Sequence, residues 1–367
     1  MTITKIRLEN FKCFSEAEFE IGKLTFLVGL NSVGKSSVIQ SALLPLQSSN
    51  INNIEINGNL INLGSYQDIL NIKAQDDSVR ISIEADDELS VWGYPEGYIT
   101  NSQQTGILPL LSGTTKNLSS VKNNFQYISA ERWGPRDNVP VLHRHRDGWL
   151  GKNGEHVIDY LFSLTNTTNA SDYNNLQTND PRIHRNARST TILASIEAWL
   201  REISPGVSFD VSVYKEANIG WSLFGYEGDS KKYRASNVGF GISYSLGIIS
   251  AILGAKPGDV LILENPEAHI HPRGQSQLGN LLALATEAGI QLLVETHSEH
   301  VVNGARVAIK KHNVDHSNIL IYFFSKDASN SCPEITKITP DERASLSAWP
   351  SGFLDQTVVD MELIIRG

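Results

Sequence analysis

The sequence predicts an α/β fold: a mainly parallel sheet with a ligand-binding edge, an antiparallel β layer beside it and an inserted α+β region. Three observations carry that prediction. Gly29-Leu-Asn-Ser-Val-Gly34-Lys35-Ser36 lies between an apolar run at 24–28 and a helical stretch at 36–44, the strand–loop–helix setting in which the pattern G-x-x-x-x-G-K-[ST] binds phosphate. Two later runs, Val260-Leu-Ile-Leu263 and Gln291-Leu-Leu-Val294, end in Glu264 and in Glu295-Thr-His297-Ser. Short apolar strands separated by helices read as buried parallel strands, whose C-terminal ends are where open α/β sheets place ligands. Residues 78–84 and 207–213 instead alternate with period two, as strands with one solvated face do.

The elements follow in order. Ile3, Ile6, Leu8 and Phe11, then Phe19 and Ile21, predict short strands leading to the run at 24–28. Residues 48–62 are rich in Asn and Ile, and 78–84 is expected to be a half-buried strand. The polar stretch 113–124 reads as a surface loop, and Phe125-Gln-Tyr-Ile-Ser-Ala as another strand. Residues 164–180, full of Thr and Asn, are expected to be mobile. Ile192, Ile196, Trp199, Leu200 and Ile203 recur at helical spacing until Ser204-Pro205-Gly206 stops them. Alternation over 207–213 and the run 219–225 then predict two antiparallel strands. A glycine-rich turn, Asn237-Val-Gly239-Phe-Gly241-Ile-Ser243, opens an apolar helix over 244–253.

Composition excludes several classes. A chain of 367 residues with 40% hydrophobic and 19% charged residues is an ordinary globular protein. No apolar run reaches the roughly 18 residues of a membrane span, and the N-terminal residues do not read as a secretory signal, so the expected location is cytoplasmic with no membrane partner. Cys13 and Cys332 offer neither a disulfide framework nor a zinc finger. A net charge of −9 weighs against a generic nucleic-acid coat, whose affinity rests on Lys and Arg. Neither tandem repeats nor sustained heptads across 47–235 occur, and G-x-S-x-G is absent.

The glycine loop is built for polyphosphate. Its glycines let the backbone curl until several N–H groups face the phosphates, Lys35 adds a point charge and the Ser36 hydroxyl can ligate Mg²⁺. Asn10-Phe-Lys-Cys-Phe14, the loop itself, the turn 237–243, Leu263-Glu264-Asn265-Pro-Glu267-Ala-His269-Ile-His271-Pro and Val294-Glu-Thr-His297-Ser-Glu-His300 resemble, in order and spacing, the motifs of ABC-type ATPase heads of the RecF, SMC and OLD-like AAA ATPases of prokaryotes. Tyr127-Ile-Ser-Ala-Glu-Arg132-Trp-Gly-Pro135 and Trp349-Pro-Ser-Gly-Phe353-Leu-Asp355 resemble a subgroup with a C-terminal domain of unknown function.

That resemblance implies a P-loop NTPase fold of the ABC-ATPase head type. Its two halves would be 1–46 and 236–335, separated by an inserted β-rich lobe with a helical segment at 47–235 and followed by a tail at 336–367 that packs on the head through Trp349 and Phe353. It implies ATP and Mg²⁺ as cofactors. Asn31, Gly34, Lys35, Ser36 and Ser37 would form the Walker A loop, with Ser36 and the Walker B residue Glu264 holding the metal and His297 acting as the switch histidine. Gly239, Gly241 and Ser243 would lie in the signature motif, which acts on the ATP of another subunit. A homodimer joined through the ATP is therefore implied, with a higher oligomer as an extension of it. A Toprim nuclease would not fit in the residues after His297, so a nuclease or toxin effector is expected on a separate polypeptide, and nucleic acid is a further candidate partner. Defence against phage or DNA repair is the setting the resemblance suggests.

One position departs from the pattern. The residue after the Walker B carboxylate is usually the glutamate that polarises water; here it is Asn265, whose amide accepts no proton at neutral pH, leaving Glu267 or another group as base. The alternative to a hydrolysing switch is thus a hydrolysis-poor, nucleotide-gated scaffold. His269 and His271 with Glu264 and Glu267 offer transition-metal ligands, although a structural role beside Walker B is favoured. For Arg132 and Arg136, phosphate contact and ion pairing are balanced alternatives. The basic spots His143-Arg-His-Arg146 and Arg182-Ile-His-Arg185-Asn-Ala-Arg188 read as solvated faces before they read as nucleic-acid patches.

Overall fold

The computed structural model describes residues 1–94, 106–141, 148–165, 174–326 and 333–366, and three sheets organise them. In the first, β1 (Ile3–Phe11) and β2 (Phe14–Glu20) form an antiparallel hairpin. On its other side β1 pairs with β5 (Arg80–Ala85), and the sheet continues through β6 (Glu88–Gly93), β7 (Ile107–Gly113) and β4 (Asn53–Glu55), all antiparallel. The alternation over 78–84 becomes β5, with Ile81, Ile83 and Ala85 turned into the core.

The second sheet is the parallel one. Its strands are β8 (Phe125–Ile128), β13 (Val260–Glu264), β14 (Gln291–Thr296), β3 (Leu24–Gly29) and β15 (Ile319–Ser325), in that spatial order, with β16 (Glu334–Ile338) antiparallel at the edge. Side-chain alternation along these strands serves two cores. Leu24 and Phe26 face the core beneath the helices, whereas Leu27 faces the core shared with the antiparallel sheet. β10 (Val207–Tyr214), β11 (Ile219–Tyr226), β12 (Tyr233–Arg234) and the short β9 (Val139–Pro140) make the third sheet.

Helices fill the space between. α1 (Lys35–Gln47) leaves the end of β3 and buries Val38, Ile39, Leu43 and Leu46; the short α2 (Tyr66–Ile69) carries a capping box. α3 (Lys116–Asn123) occupies the stretch expected to be a loop, because Leu118 and Val121, three residues apart, pack against α1. α4 (Val157–Thr165) precedes α5 (Ile192–Ile203), which starts at its cap Thr191, accepting from Ala194 N at 3.2 Å. α6 (Phe240–Gly254), α7 (Pro272–Glu287) and α8 (Glu299–His312) complete the helical core. α9 (Gln356–Arg366) follows near the end.

Two expected boundaries shift. Residues 47–235 do not form a lobe of their own: β4 to β7 hydrogen-bond into the sheet begun by β1 and β2, and β8 pairs with β13 in the parallel sheet. Among the described residues, the β9–β12 sheet hydrogen-bonds to neither of those two sheets, although its Val207 and Phe224 share the core of the parallel sheet. In the tail, β16 joins the parallel sheet and Phe353 is fully buried against Phe323 at a ring distance of 5.3 Å. Trp349 is largely exposed and lies under Arg306. α9, however, buries nothing, leaving Leu363, Ile364 and Ile365 in solvent. The tail therefore packs apolar side chains on the head as far as Leu354, and beyond it Thr357 Oγ1 donates to Glu299 at 3.2 Å. Of the stretch expected to be mobile, 166–173 lie outside the described residues, as do Cys332 and the basic spot 143–146. No helix among the described residues is long and apolar enough to cross a membrane.

Candidate functional site

The site lies where β3, β14 and β13 end. The chain leaves β3 through Gly29 at φ +135 and reaches α1 through Gly34 at φ +105, values that β-carbons resist. A methyl at Gly29 would lie 2.1 Å from the Phe324 carbonyl oxygen, and one at Gly34 2.6 Å from Cys13 Sγ. The Cys13–Phe14 turn of the N-terminal hairpin thus braces the loop from behind, which gives the Asn10–Phe14 motif its physical role. α1 begins with no side-chain cap, so its first-turn N–H groups face the loop concavity.

Lys35 folds back over this loop. It is 3% exposed, and its ammonium donates to the carbonyl oxygens of Gly29 and Leu30. Burial pulls its pKa below the usual lysine value, against the opposing pull of Glu295 and Glu267. Asn31 is exposed at the loop tip, while Ser37 is buried beneath it.

Next to Ser36 the structure places a group that the sequence reading passed over. The Ser36 hydroxyl meets both oxygens of Glu295, at 3.0 and 3.1 Å, and not Glu264, the expected partner. Register explains the difference: Glu295 sits on β14 between the two strands, opposite Leu27 of β3 on one side and Glu264 of β13 on the other. Glu264 is thus one strand further from the loop, and its oxygens accept from Tyr127 Oη at 3.2 Å and Ala130 N at 3.1 Å. Burial, reinforced by the charge of Glu264, pushes Glu295 up to about 7. Glu264 is raised by burial as well.

The turn after β13 is held from below by Arg132. Only 5% exposed, it donates to the carbonyl oxygens of Glu264 at 2.6 Å, Asn265 at 2.7 Å and Ser129 at 3.0 Å. That burial pulls its guanidinium down to about 10, with Glu267 opposing. Arg136, by contrast, stacks at 4.0 Å on Trp133. Asn265 takes a left-handed backbone, φ 43, and donates its N–H to Glu295 O at 2.8 Å, while its Oδ1 is buried without a hydrogen-bond partner.

Glu267 then reaches across to the end of β14. It accepts from Thr296 Oγ1 and from His297 N, each at 2.8 Å, and so fixes the loop carrying His297. The His297 ring bonds the Gly29 carbonyl, and burial, followed by the charge of Lys35, lowers its pKa. Lys35, Ser36, Glu267, Glu295 and His297 therefore converge. His269 and His271 take structural posts beside them: His269 packs its ring 4.7 Å from Tyr244, and His271 Nδ1 caps α7 by accepting from Arg273 N at 3.3 Å.

The 237–243 turn belongs to a different surface. Ser236, Asn237, Gly239 and Phe240 are exposed, and Gly239, the cap of α6, has nothing within 4 Å of where a β-carbon would stand. Gly241 is needed for contact, since a methyl there would lie 2.5 Å from His269 O. Ser243, expected to face a second subunit's nucleotide, turns its hydroxyl inward, where it is buried without a partner. The side chain of Ser243 lines a cleft with Arg132, Trp133 and Tyr244, covered by the segment that follows β8.

The comparisons with known proteins agree with this architecture. Residues 1–180 match the family described as AAA ATPase domain. Residues 150–303 match the one described as AAA domain, putative AbiEii toxin, Type IV TA system. Residues 314–363 match a protein family of unknown function, DUF3696. No curated protein matches the sequence. Among solved structures the chain is similar to an SMC head bound to the C-winged helix domain of ScpA, at 14% identity and TM-score 0.54, covering 92% of this chain and 98% of that one. It is similar also to an Smc head with an extended coiled coil bound to the C-terminal domain of ScpA, derived from Pyrococcus furiosus, at 11% identity and TM-score 0.53, covering 99% of each chain. At such identities the likeness is one of fold. Taken together, two AAA-type ATPase-domain families match stretches that run from residue 1 to residue 303, on a fold shared with SMC-type ATPase heads, which supports an ABC-type AAA ATPase.

Proposed function

We propose that the chain binds and hydrolyses Mg²⁺·ATP and acts as an ATP-gated dimeric switch for a separate effector or a nucleic-acid interaction. The convergence of Lys35, Ser36, Glu295, Glu267 and His297 on one loop carries this reading. The cradle fits a polyphosphate: two glycines whose β-carbons would collide with the surrounding chain, an uncapped helix start and a buried ammonium. The Ser36 hydroxyl and the Glu295 carboxylate suit Mg²⁺, which takes hard oxygen ligands together with waters. When bound, the metal neutralises charge that develops on the transferred phosphoryl group.

The residues around it divide the work. Lys35 exchanges the loop carbonyls for phosphate oxygens, and Glu264 supports Glu295 from the neighbouring strand. Glu267 holds the His297 loop against the phosphate site and is the carboxylate assigned as base in place of Asn265. Ser236, Gly239 and Phe240, rather than Ser243, are the signature residues displayed to the nucleotide of a second copy. A role in defence against phage or in DNA repair rests on family resemblance.

A second reading has its own support. Both oxygens of Glu267 already accept protein hydrogen bonds, and the residue at the usual base position is an amide, as a nucleotide-gated scaffold that assembles a nuclease or toxin would require. ATP turnover by the wild type beside Lys35→Ala, Glu267→Gln and Asn265→Glu separates the two. Turnover lost in the first two variants supports the switch enzyme. ATP-dependent dimers without Lys35-dependent turnover support the scaffold.

A further inference from the structure

Where α5, α7 and the end of α8 meet residues 181–185, a cleft of about 230 Å³ opens between Trp199, His184, Arg185, Asn280, Lys311 and His312. Two independent features mark it as a binding site. Asn280 is 7% exposed, yet its Oδ1 has no hydrogen-bond partner, a condition buried amides rarely keep unless a donor reaches them. The rim, meanwhile, is crowded with positive charge. Arg185, Lys311 and His312 are exposed, and among the described residues no carboxylate pairs with Arg185 or Lys311. The carboxylate in the cleft, Glu202, is already engaged by His184 at 3.2 Å and Arg273 at 3.5 Å. Burial lowers the imidazole pKa of His184 and His312, and the charges of Arg185 and Lys311 add to it, against Glu202 at His184.

Arg182, part of the same basic spot in the sequence, is not available to this rim. It is buried on Asp180 at 2.6 Å and closes the end of α6 by donating to the carbonyl oxygens of Ile252 and Ala255.

We propose that this cleft binds a small phosphorylated ligand of the sugar-phosphate or mononucleotide class. Its phosphate lies against Arg185, Lys311 and His312, and its neutral part lies over the Asn280 amide and the Trp199 ring. A recess with a buried acceptor at its floor suits a small molecule, whereas the backbone of a duplex is met by an open basic face.

The position gives such a ligand leverage on the nucleotide site. α7 begins directly after the turn that carries Glu267, and α8 begins directly after His297. The two helices are in backbone contact, since a methyl at Gly279 would lie 1.9 Å from Val301 O and one at Gly304 2.0 Å from Ser276 O. A molecule bridging Asn280 and Lys311 therefore grips both arms at once.

Isothermal titration of the full chain with ribose 5-phosphate tests the proposal, with inorganic phosphate and a short DNA duplex as comparison probes. We expect saturable binding that Lys35→Ala leaves unchanged. The exposed double change Arg185→Glu, Lys311→Glu should weaken it by about tenfold or more, with the fold checked by circular dichroism. Asn280→Leu should weaken ribose 5-phosphate but not inorganic phosphate. The proposal is overturned if no ribose 5-phosphate binds in the millimolar range, if binding is lost in Lys35→Ala but kept in the double variant, or if only the duplex binds.

Discussion

The two surfaces that would bracket a nucleotide in this head are built in opposite ways. On the phosphate-loop side the polar groups find partners within the chain: Lys35 in two carbonyls, Ser36 in Glu295, and the His297 loop in Glu267. On the signature side, Asn237, Gly239 and Phe240 stand in solvent, and the Ser243 hydroxyl has turned inward. The first surface is preorganised by its own chain. Only the second requires another molecule to complete it, and the proposed ATP-bridged dimer would supply one.

The sharpest way to break this contrast is at Lys35. Lys35→Ala should reduce ATP turnover by about 100-fold or more with an unchanged circular dichroism spectrum; turnover within about threefold of wild type would mean that the loop is not the phosphate site. A smaller effect decides which carboxylate faces the metal. Glu295→Gln should weaken Mg²⁺-dependent binding of a slowly hydrolysed ATP analogue by about 10- to 100-fold, and Glu264→Gln by less; the reverse ranking would restore Glu264 to the position the sequence suggested.

The raised pKa of Glu295, about 7, gives the contrast a pH dependence. Metal must displace the proton that this carboxyl holds below that value, so apparent Mg²⁺·ATP affinity should rise from about pH 6 to about pH 8. Stability of the ligand-free chain should run the other way. A carboxyl whose folded pKa is raised stabilises the fold below its unfolded value and loses that contribution as pH rises through about 7. Glu295→Gln should flatten both profiles, measured by titration calorimetry and by thermal unfolding.

The tail offers the smallest test. Phe353→Ala, at a fully buried ring, should cost about 3 kcal/mol in denaturant unfolding. Removing residues 356–367 should change stability by less than about 0.5 kcal/mol, because α9 buries no side chain. A large loss on that deletion would show that the helix packs in solution.

How legible each part was follows from whether its physics is local. The loop, the Glu264–Glu267 turn and His297 could be read because each is a short motif in its own strand-to-helix setting. Glu295 could not, because its meaning comes from the register of three parallel strands joining residues 24–29, 260–264 and 291–296. Its one signal was a carboxylate closing an otherwise apolar strand two residues before the histidine. Other long-range pairings drew β4 to β7 into the sheet of β1 and β2, and β8 into the parallel sheet. Arg132 gave no hint of burial, since its partners are backbone carbonyls 132 and 133 positions away in sequence. In α3 the polar composition concealed Leu118 and Val121, whose spacing matters only once α1 is beside them.

The most direct test is sedimentation velocity of the wild type and Gly239→Asp with Mg²⁺ and a slowly hydrolysed ATP analogue. Gly239 has open space around it and an ordinary backbone angle, so the substitution should leave the fold intact while placing a negative charge where the second copy's triphosphate would sit. The two half-sites predict a nucleotide-dependent dimer for the wild type and a nucleotide-binding monomer for the variant. A wild type that stays monomeric with nucleotide bound, or a variant that dimerises as well as the wild type, would contradict them.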